Sequence, residues 1–331
     1  MMPLKKMRCT GGFLWRTIRF SGAALLAAGL LSGSALAETT KFNFFSGSSP
    51  HFSLVFVADT KGLFKAQGLD VSVKTFGSGT AASEAFRAGH AAFVTTGDLP
   101  AIKFWQIGDT QGLASVETDS DLMVMAAAKN IRSPADLRGK KVATRMKSTG
   151  EFMVMKYLAL GDVSPKDVTL VNMAPPDMVI ALDRGDICAF FIWQPYGWQA
   201  RQVSRDKVHL LATKLVNEYM ILSTSKKFAG ENPGSVVKTL KALDAASRYI
   251  KGASPGQVAD ILRKYTRANK DLIVRMLPSM KLRLIDGPVF RKDMNALAQF
   301  MITSGSLERH IDWKKDYNDS FLRQVKPALF K

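Results

Sequence analysis

The sequence predicts an α/β protein of two lobes with a cleft between them, and three observations carry that prediction. From Lys41 to Arg205, short β-rich runs alternate with helical patterns. Such alternation implies βαβ units and mainly parallel sheets covered by helices on both faces. Four Gly/Ser/Thr-rich stretches (Ser46-Gly47-Ser48-Ser49-Pro50, Ser78-Gly79-Thr80, Thr95-Thr96-Gly97-Asp98 and Lys147-Ser148-Thr149-Gly150-Glu151) fall where a predicted strand hands over to a predicted helix. Beyond Tyr219-Met220-Ile221-Leu222, a returning strand, the pattern changes to helices separated by Gly, Pro and Ser breaks.

In chain order, the β-rich runs are residues 42–45, 71–76, 92–95, 122–127, 141–144, 168–172, 187–192 and 208–212. Helical spacing of apolar residues places helices over 80–88, 99–107, 151–160 and 177–184. Ser133-Pro134-Ala135-Asp136-Leu137-Arg138-Gly139 supplies a cap, a Pro at the first helical position and a terminal Gly, so one short helical turn is expected there. From about Pro233 onward, Leu240, Leu243, Ala246 and Tyr249 form an apolar stripe at helical spacing. No low-complexity linker or internal repeat interrupts the chain.

The first 37 residues read as an export leader and not as part of the fold. Lys5, Lys6, Arg8, Arg16 and Arg19 form a basic segment, the apolar run of residues 23–31 follows, and Ala35-Leu36-Ala37 presents a small-x-small cleavage pattern before Glu38. The run is far shorter than the ~20 residues that span a bilayer. A periplasmic location, with cleavage after Ala37, is the expectation.

The 331 residues carry 46 Lys and Arg against 28 Asp and Glu. Losing the leader removes five basic residues and leaves a net charge of +13, still strongly basic. The basic residues, as in Lys226-Lys227, Lys238, Lys241 and Arg263-Lys264, are scattered at helical spacing among apolar positions, so they read as solvated helix faces, not as a nucleic-acid surface. A positive field of this kind draws in negative solutes. Cys188 alone remains beyond the leader, inside the apolar run Ile187-Cys188-Ala189-Phe190-Phe191-Ile192, and is expected to be a core residue. His51, His90, His209 and His310 show no metal-ligand spacing, so neither a metal nor a cofactor is expected, and binding is favoured over catalysis.

Several segments together resemble the periplasmic solute-binding proteins for sulfonates, taurine and nitrate that serve ABC transporters. The stretch Ala58-Asp59-Thr60-Lys61-Gly62-Leu63-Phe64-Lys65-Ala66-Gln67-Gly68-Leu69-Asp70-Val71 is similar to the opening signature of that family. Gly77-Ser78-Gly79-Thr80, Ala88-Gly89-His90-Ala91-Ala92-Phe93, the run from Ile131 to Ala143, Ala181-Leu182-Asp183-Arg184-Gly185-Asp186-Ile187 and Ile192-Trp193-Gln194-Pro195-Tyr196 follow in the family's order. The similarity is good over roughly residues 41–200, and the C-terminal helices match only in pattern.

The resemblance implies a type II Venus-flytrap fold with two crossing strands: lobe one from residues 38–122 and 219–331, lobe two from residues 123–218. It implies a monomeric, non-enzymatic receptor that captures a small organic anion, such as an alkanesulfonate or a taurine-like compound. The receptor would deliver it to an inner-membrane ABC permease with its cytoplasmic ATPase. Two alternatives stay open, a binding protein for a thiamin-type pyrimidine precursor and a synthase-like enzyme on the same fold.

The resemblance also places the ligand-binding candidates. In lobe one, Ser78, Gly79 and Thr80 combine close backbone approach with donors at a helix start; plain helix capping is the competing role. Ser46, Ser48 and His51 end the first strand. Thr96, Gly97 and Asp98 form a further loop, Asp98 being either a helix cap or a counter-charge. In lobe two, Ser148 and Thr149 face the cleft. Lys147 stands where family members usually carry a Gly, which alters the turn and adds a charge. Trp193 is a stacking surface or a cleft wall, and Gln194 replaces a usual acidic residue.

Overall fold

The computed structural model describes residues 40–212, 214–215 and 217–330; the expected leader lies outside the described residues. Two five-stranded sheets organise the described residues. In the first, β1 (Thr40–Gly47) lies between β2 (Leu69–Phe76) and β3 (Phe93–Gly97), parallel to both. The sheet is completed by β10 (Glu218–Ser225), antiparallel to β3, and by β4 (Thr110–Asp119) on its far side. In the second, β6 (Lys141–Thr144) runs parallel to β7 (Thr169–Asn172) and β8 (Ala189–Trp193), while β5 (Met123–Ala128) is antiparallel to β8 and β9 (Val208–Ala212).

The sheets are therefore mixed, where the sequence predicted mainly parallel ones. The reason is connectivity. The chain leaves the first sheet between β4 and β5 and returns between β9 and β10. Those passages run in opposite senses, and each leaves a strand antiparallel to its neighbours. β4 has no counterpart among the predicted strands. Its sequence, Thr-Gln-Gly-Leu-Ala-Ser-Val-Glu-Thr-Asp, lacks apolar alternation, yet all ten of its residues are buried.

Helix starts follow capping chemistry. Ser78 caps α3 (Gly79–Arg87) by accepting from the Ala81 N–H at 3.2 Å, and Ser148 caps α5 (Thr149–Ala159) by accepting from the Gly150 N–H at 3.2 Å. Asp98 opens α4 (Asp98–Gln106), where it accepts from its neighbour's N–H. The expected turn near Ser133 is a 3-10 helix, Pro134–Leu137, with a capping box between Ser133 and Asp136. The long C-terminal helix Pro233–Gly252 packs on the first sheet's core with Leu240, Leu243 and Ala246 fully buried. That core also takes in Phe44, Phe56, Phe93, Leu113 and Val116.

The second sheet buries one apolar cluster on each face, around Met125, Val142 and Phe191 and around Ala143, Phe190 and Ile192. Cys188 packs at the edge of the former, half-buried, and burial pushes its thiol pKa up. Among the described residues, no helix is long and apolar enough to cross a membrane.

Candidate functional site

The strand-to-helix loops of both sheets converge on one cavity of ≈ 40 Å³. Ser48, Ser49, His51 and Phe52 reach it from the turn after β1, and Gly77, Ser78, Gly79 and Thr80 from the start of α3. Thr96, Gly97 and Pro100 come from the end of β3 and the start of α4, and Glu218 and Met220 from β10. The second sheet contributes Ser148 and Thr149 at the start of α5, with Trp193 at the end of β8 and Tyr196 just beyond it. The cavity is small and polar-lined, with room for at least a few water molecules.

Close backbone packing shapes the lobe-one wall. A Cβ on Gly79 would stand 2.8 Å from Thr96 Oγ1 and 3.0 Å from Thr96 Cα. The absence of a side chain at Gly79 is thus what lets the start of α3 lie directly against the end of β3. Ser46 does not reach the cavity. It is buried beneath it, accepts from Thr95 Oγ1 at 2.9 Å and ties β1 to β3.

Three other candidates also stand off the cavity. Asp98 is buried behind it: its Oδ1 accepts from the Leu99 N–H at 2.7 Å and from Thr149 Oγ1 at 2.7 Å, and its Oδ2 from the Tyr219 N–H at 3.1 Å. Gln194 is buried and its Oε1 accepts from the Trp198 N–H at 3.0 Å. Lys147 lines a separate groove with Leu99, Lys103 and Glu151. Its backbone is left-handed, with φ of 61°, and its N–H donates to Glu151 Oε2 at 2.6 Å. A glycine adopts that conformation at no steric cost, whereas a lysine is strained in it.

Electrostatically, the cavity floor is unlike what the sequence suggested. His51, Asp119 and Glu218 come together from distant positions, with one ligand atom of each within 4.8 Å of the others. Asp119 and Glu218 are paired across the β4–β10 ladder at the point where the chain leaves and re-enters the first sheet. His51 Nδ1 is 2.7 Å from Ser49 Oγ, while His51 Nε2 stands 3.6 Å from Asp119 Oδ2. Burial pushes His51 down to about 4 and Asp119 up to about 7, so this contact is not an ion pair at neutral pH. Burial, reinforced by mutual repulsion, also lifts Glu117 and Glu218 well above the carboxylate range, and burial lifts Asp98 to about 6 against its three hydrogen bonds. Glu218 carried no signal in the sequence, being one acid beside an apolar strand. Asp119 and Glu117 sit in the strand the pattern did not reveal.

A family model described as NMT1/THI5 like matches residues 49–255. A Brucella abortus (strain 2308) protein named only as a binding protein is 25% identical over 277 residues, 80% of this chain and 85% of that one. The taurine-binding periplasmic protein of Escherichia coli (strain K12) is 30% identical over 145 residues, 42% of this chain and 43% of its own length. Among solved structures, the alkanesulfonate-binding protein of Xanthomonas axonopodis pv. citri bound to MOPS superposes with a TM-score of 0.72 at 17% identity, covering 85% of this chain and 99% of that one. The fold is that of the periplasmic binding proteins.

Proposed function

The chain belongs to the NMT1/THI5-like family, and from that premise we infer that it is the solute-binding component of an ABC importer, with a small organic anion as its solute. The observation that carries this reading is the meeting of two capped helix starts, one from each sheet, across a single cavity. Ser78 at α3 and Ser148 at α5 both line it. Helix N-termini present unpaired N–H groups and the positive end of a dipole, and two of them facing each other suit a tetrahedral oxyanion. A sulfonate is the proposed class, and the alkanesulfonate- and taurine-binding proteins to which the chain is similar support it.

The proposed mechanism is reversible closure. Residues 38–122 and 219–331 would form one lobe and residues 123–218 the other, with residues 1–37 removed on export to the periplasm and a monomer presented to the permease. A solute that touches both helix starts makes its full set of contacts only when the lobes meet, so it shifts the population toward the closed state. Ser48 and Thr80 would add hydroxyl donors, Thr149 would hold the two walls together through its bond to Asp98, and Trp193 would wall the site on the lobe-two side.

A second reading, a thiamin-type pyrimidine precursor, is favoured by one specific observation. Trp193 and Tyr196 line the same cavity as the buried carboxyl of Glu218, which supplies aromatic faces and an acceptor for an amino-substituted ring. A thermal-shift screen of the chain from Glu38 separates the two. A solute at one hundred times its Kd stabilises the fold by about 2.7 kcal/mol. The anion reading expects a shift with an alkanesulfonate or taurine that Ser78→Ala and Ser148→Ala both abolish. A shift with an aminopyrimidine and none with any sulfonate, nitrate or carboxylate overturns it.

A further inference from the structure

The floor of the cavity holds an arrangement that solute binding through helix starts does not explain. His51 Nε2, Asp119 Oδ2 and Glu218 Oε2 are all buried and without a hydrogen-bond partner, although buried polar groups in folded proteins are nearly always paired. They are also of one kind. With the Nδ1 proton directed to Ser49 Oγ, 2.7 Å away, Nε2 offers a lone pair, and both carboxylates offer lone pairs as well. In that tautomer, and with both carboxyls ionised as a bound cation would hold them, three acceptors meet within 4.8 Å of one another. Asp98 and Glu117 stand close by and add negative charge when ionised, and among the described residues no Lys or Arg forms an ion pair with any of these groups.

We propose that His51, Asp119 and Glu218 bind a divalent first-row transition-metal ion, of the zinc or manganese class, at the hinge end of the cavity. The donor set of one imidazole and two carboxylates suits such an ion. Ser49 plays the orienting part that metal-bound imidazoles usually receive from a hydrogen-bond partner on the other ring nitrogen. Bonds of about 2.0–2.2 Å put neighbouring ligand atoms roughly 3.4 Å apart; His51 Nε2 and Asp119 Oδ2 already stand at 3.6 Å, so only modest inward movement is needed when the ion enters. His51 and Glu218 also line the cavity, so the ion keeps an open coordination position there. It cancels the two negative charges of Asp119 and Glu218, which are hostile to an anion, and presents a Lewis-acidic position to the cavity in their place. Because Asp119 and Glu218 are the last ladder pair before the two crossings, the ion also clamps the hinge.

The test uses the chain from Glu38, treated with EDTA and desalted. Zn²⁺ is titrated calorimetrically and the retained metal is counted by mass spectrometry after gel filtration. The expected result is one ion per chain, with affinity reduced at least about tenfold in Asp119→Asn, Glu218→Gln and His51→Gln, each checked for native circular dichroism. Co²⁺ loading gives an independent signature, a visible d–d spectrum that Glu218→Gln alters. No retained ion, or retention equal in all three variants because His90, His209 or His310 holds it, overturns the proposal. So does a zwitterionic or amino-substituted solute that binds the metal-free protein and loses affinity in Glu218→Gln while Zn²⁺ finds no site. A missing sulfonate response leaves the Zn²⁺ stoichiometry unchanged, so failure of the anion reading and failure of the metal site are distinguishable.

Discussion

Thr149 Oγ1, at the start of the second sheet's α5, donates to Asp98 Oδ1, at the start of the first sheet's α4, across 2.7 Å in a buried position. It links the two sheets through side chains beside the cavity. It is accompanied by Phe152 of α5 against Phe300, with ring centroids 4.4 Å apart. A hydrogen bond to a charged acceptor contributes about 1.5–3 kcal/mol. Here that contribution exists only while the two sheets are together.

Thr149→Val keeps the shape and removes the donor, so it is expected to favour parted lobes. Solute affinity should fall about tenfold or more, corresponding to about 1.5–3 kcal/mol, and the radius of gyration of the solute-free protein in small-angle X-ray scattering should rise. An unchanged radius together with unchanged affinity refutes the closing role of this contact.

Asp98 titrates at about 6 because burial disfavours its charge. The folded chain therefore holds this proton more tightly than the unfolded chain does. The stability it contributes is full below pH 4 and is lost as pH rises toward and through 6, by about 1–3 kcal/mol. In metal-free protein, Asp98→Asn should flatten the decline in Tm between pH 4 and 7. Parallel Tm curves for the two proteins would show that Asp98 is not a source of that slope.

Gly79→Ala places a methyl group against Thr96 backbone and side chain at 2.8–3.0 Å. Overpacking of this kind costs typically about 1–3 kcal/mol, and the displaced α3 start should weaken solute binding as well. Urea denaturation and solute titration read the two effects, and a neutral result in both would mean that the loop gives way freely.

Lys147→Gly relieves a left-handed lysine at φ 61°. The gain, about 1–2 kcal/mol of relieved strain, is offset by about 0.5–1 kcal/mol of unfolded-state entropy, leaving a neutral or slightly stabilising change. Because the Lys147 side chain lines a groove outside the cavity, solute affinity should move by less than about twofold. A large loss of affinity for an anion would instead bring this lysine into the binding site.

The α/β class, the strand-to-helix loops and the helix caps at Ser78 and Ser148 were legible in the sequence. Each rests on short-range signals: periodicity of apolar residues and the preference of serine for a helix start. Even the turn at Lys147 left a trace, as a lysine where the family resemblance implies a glycine. The strand from Thr110 to Asp119 left none, because both its faces are buried and its apolar residues, Leu113, Ala114 and Val116, do not alternate with the polar ones. With it were hidden Glu117 and Asp119, and with them the partners of His51.

Local sequence thus determined which segments become helix or strand, and which loops carry donors, since capping and periodicity act over a few residues. Only the tertiary structure decided which donors face one another. It brought Ser78 and Ser148 to one cavity, set Asp98 behind the wall against Thr149, and gathered His51, Asp119 and Glu218 at the hinge. Those meetings depend on strand order and on two chain crossings. They arise from burial of several apolar cores at once, a global condition that no short window of residues contains.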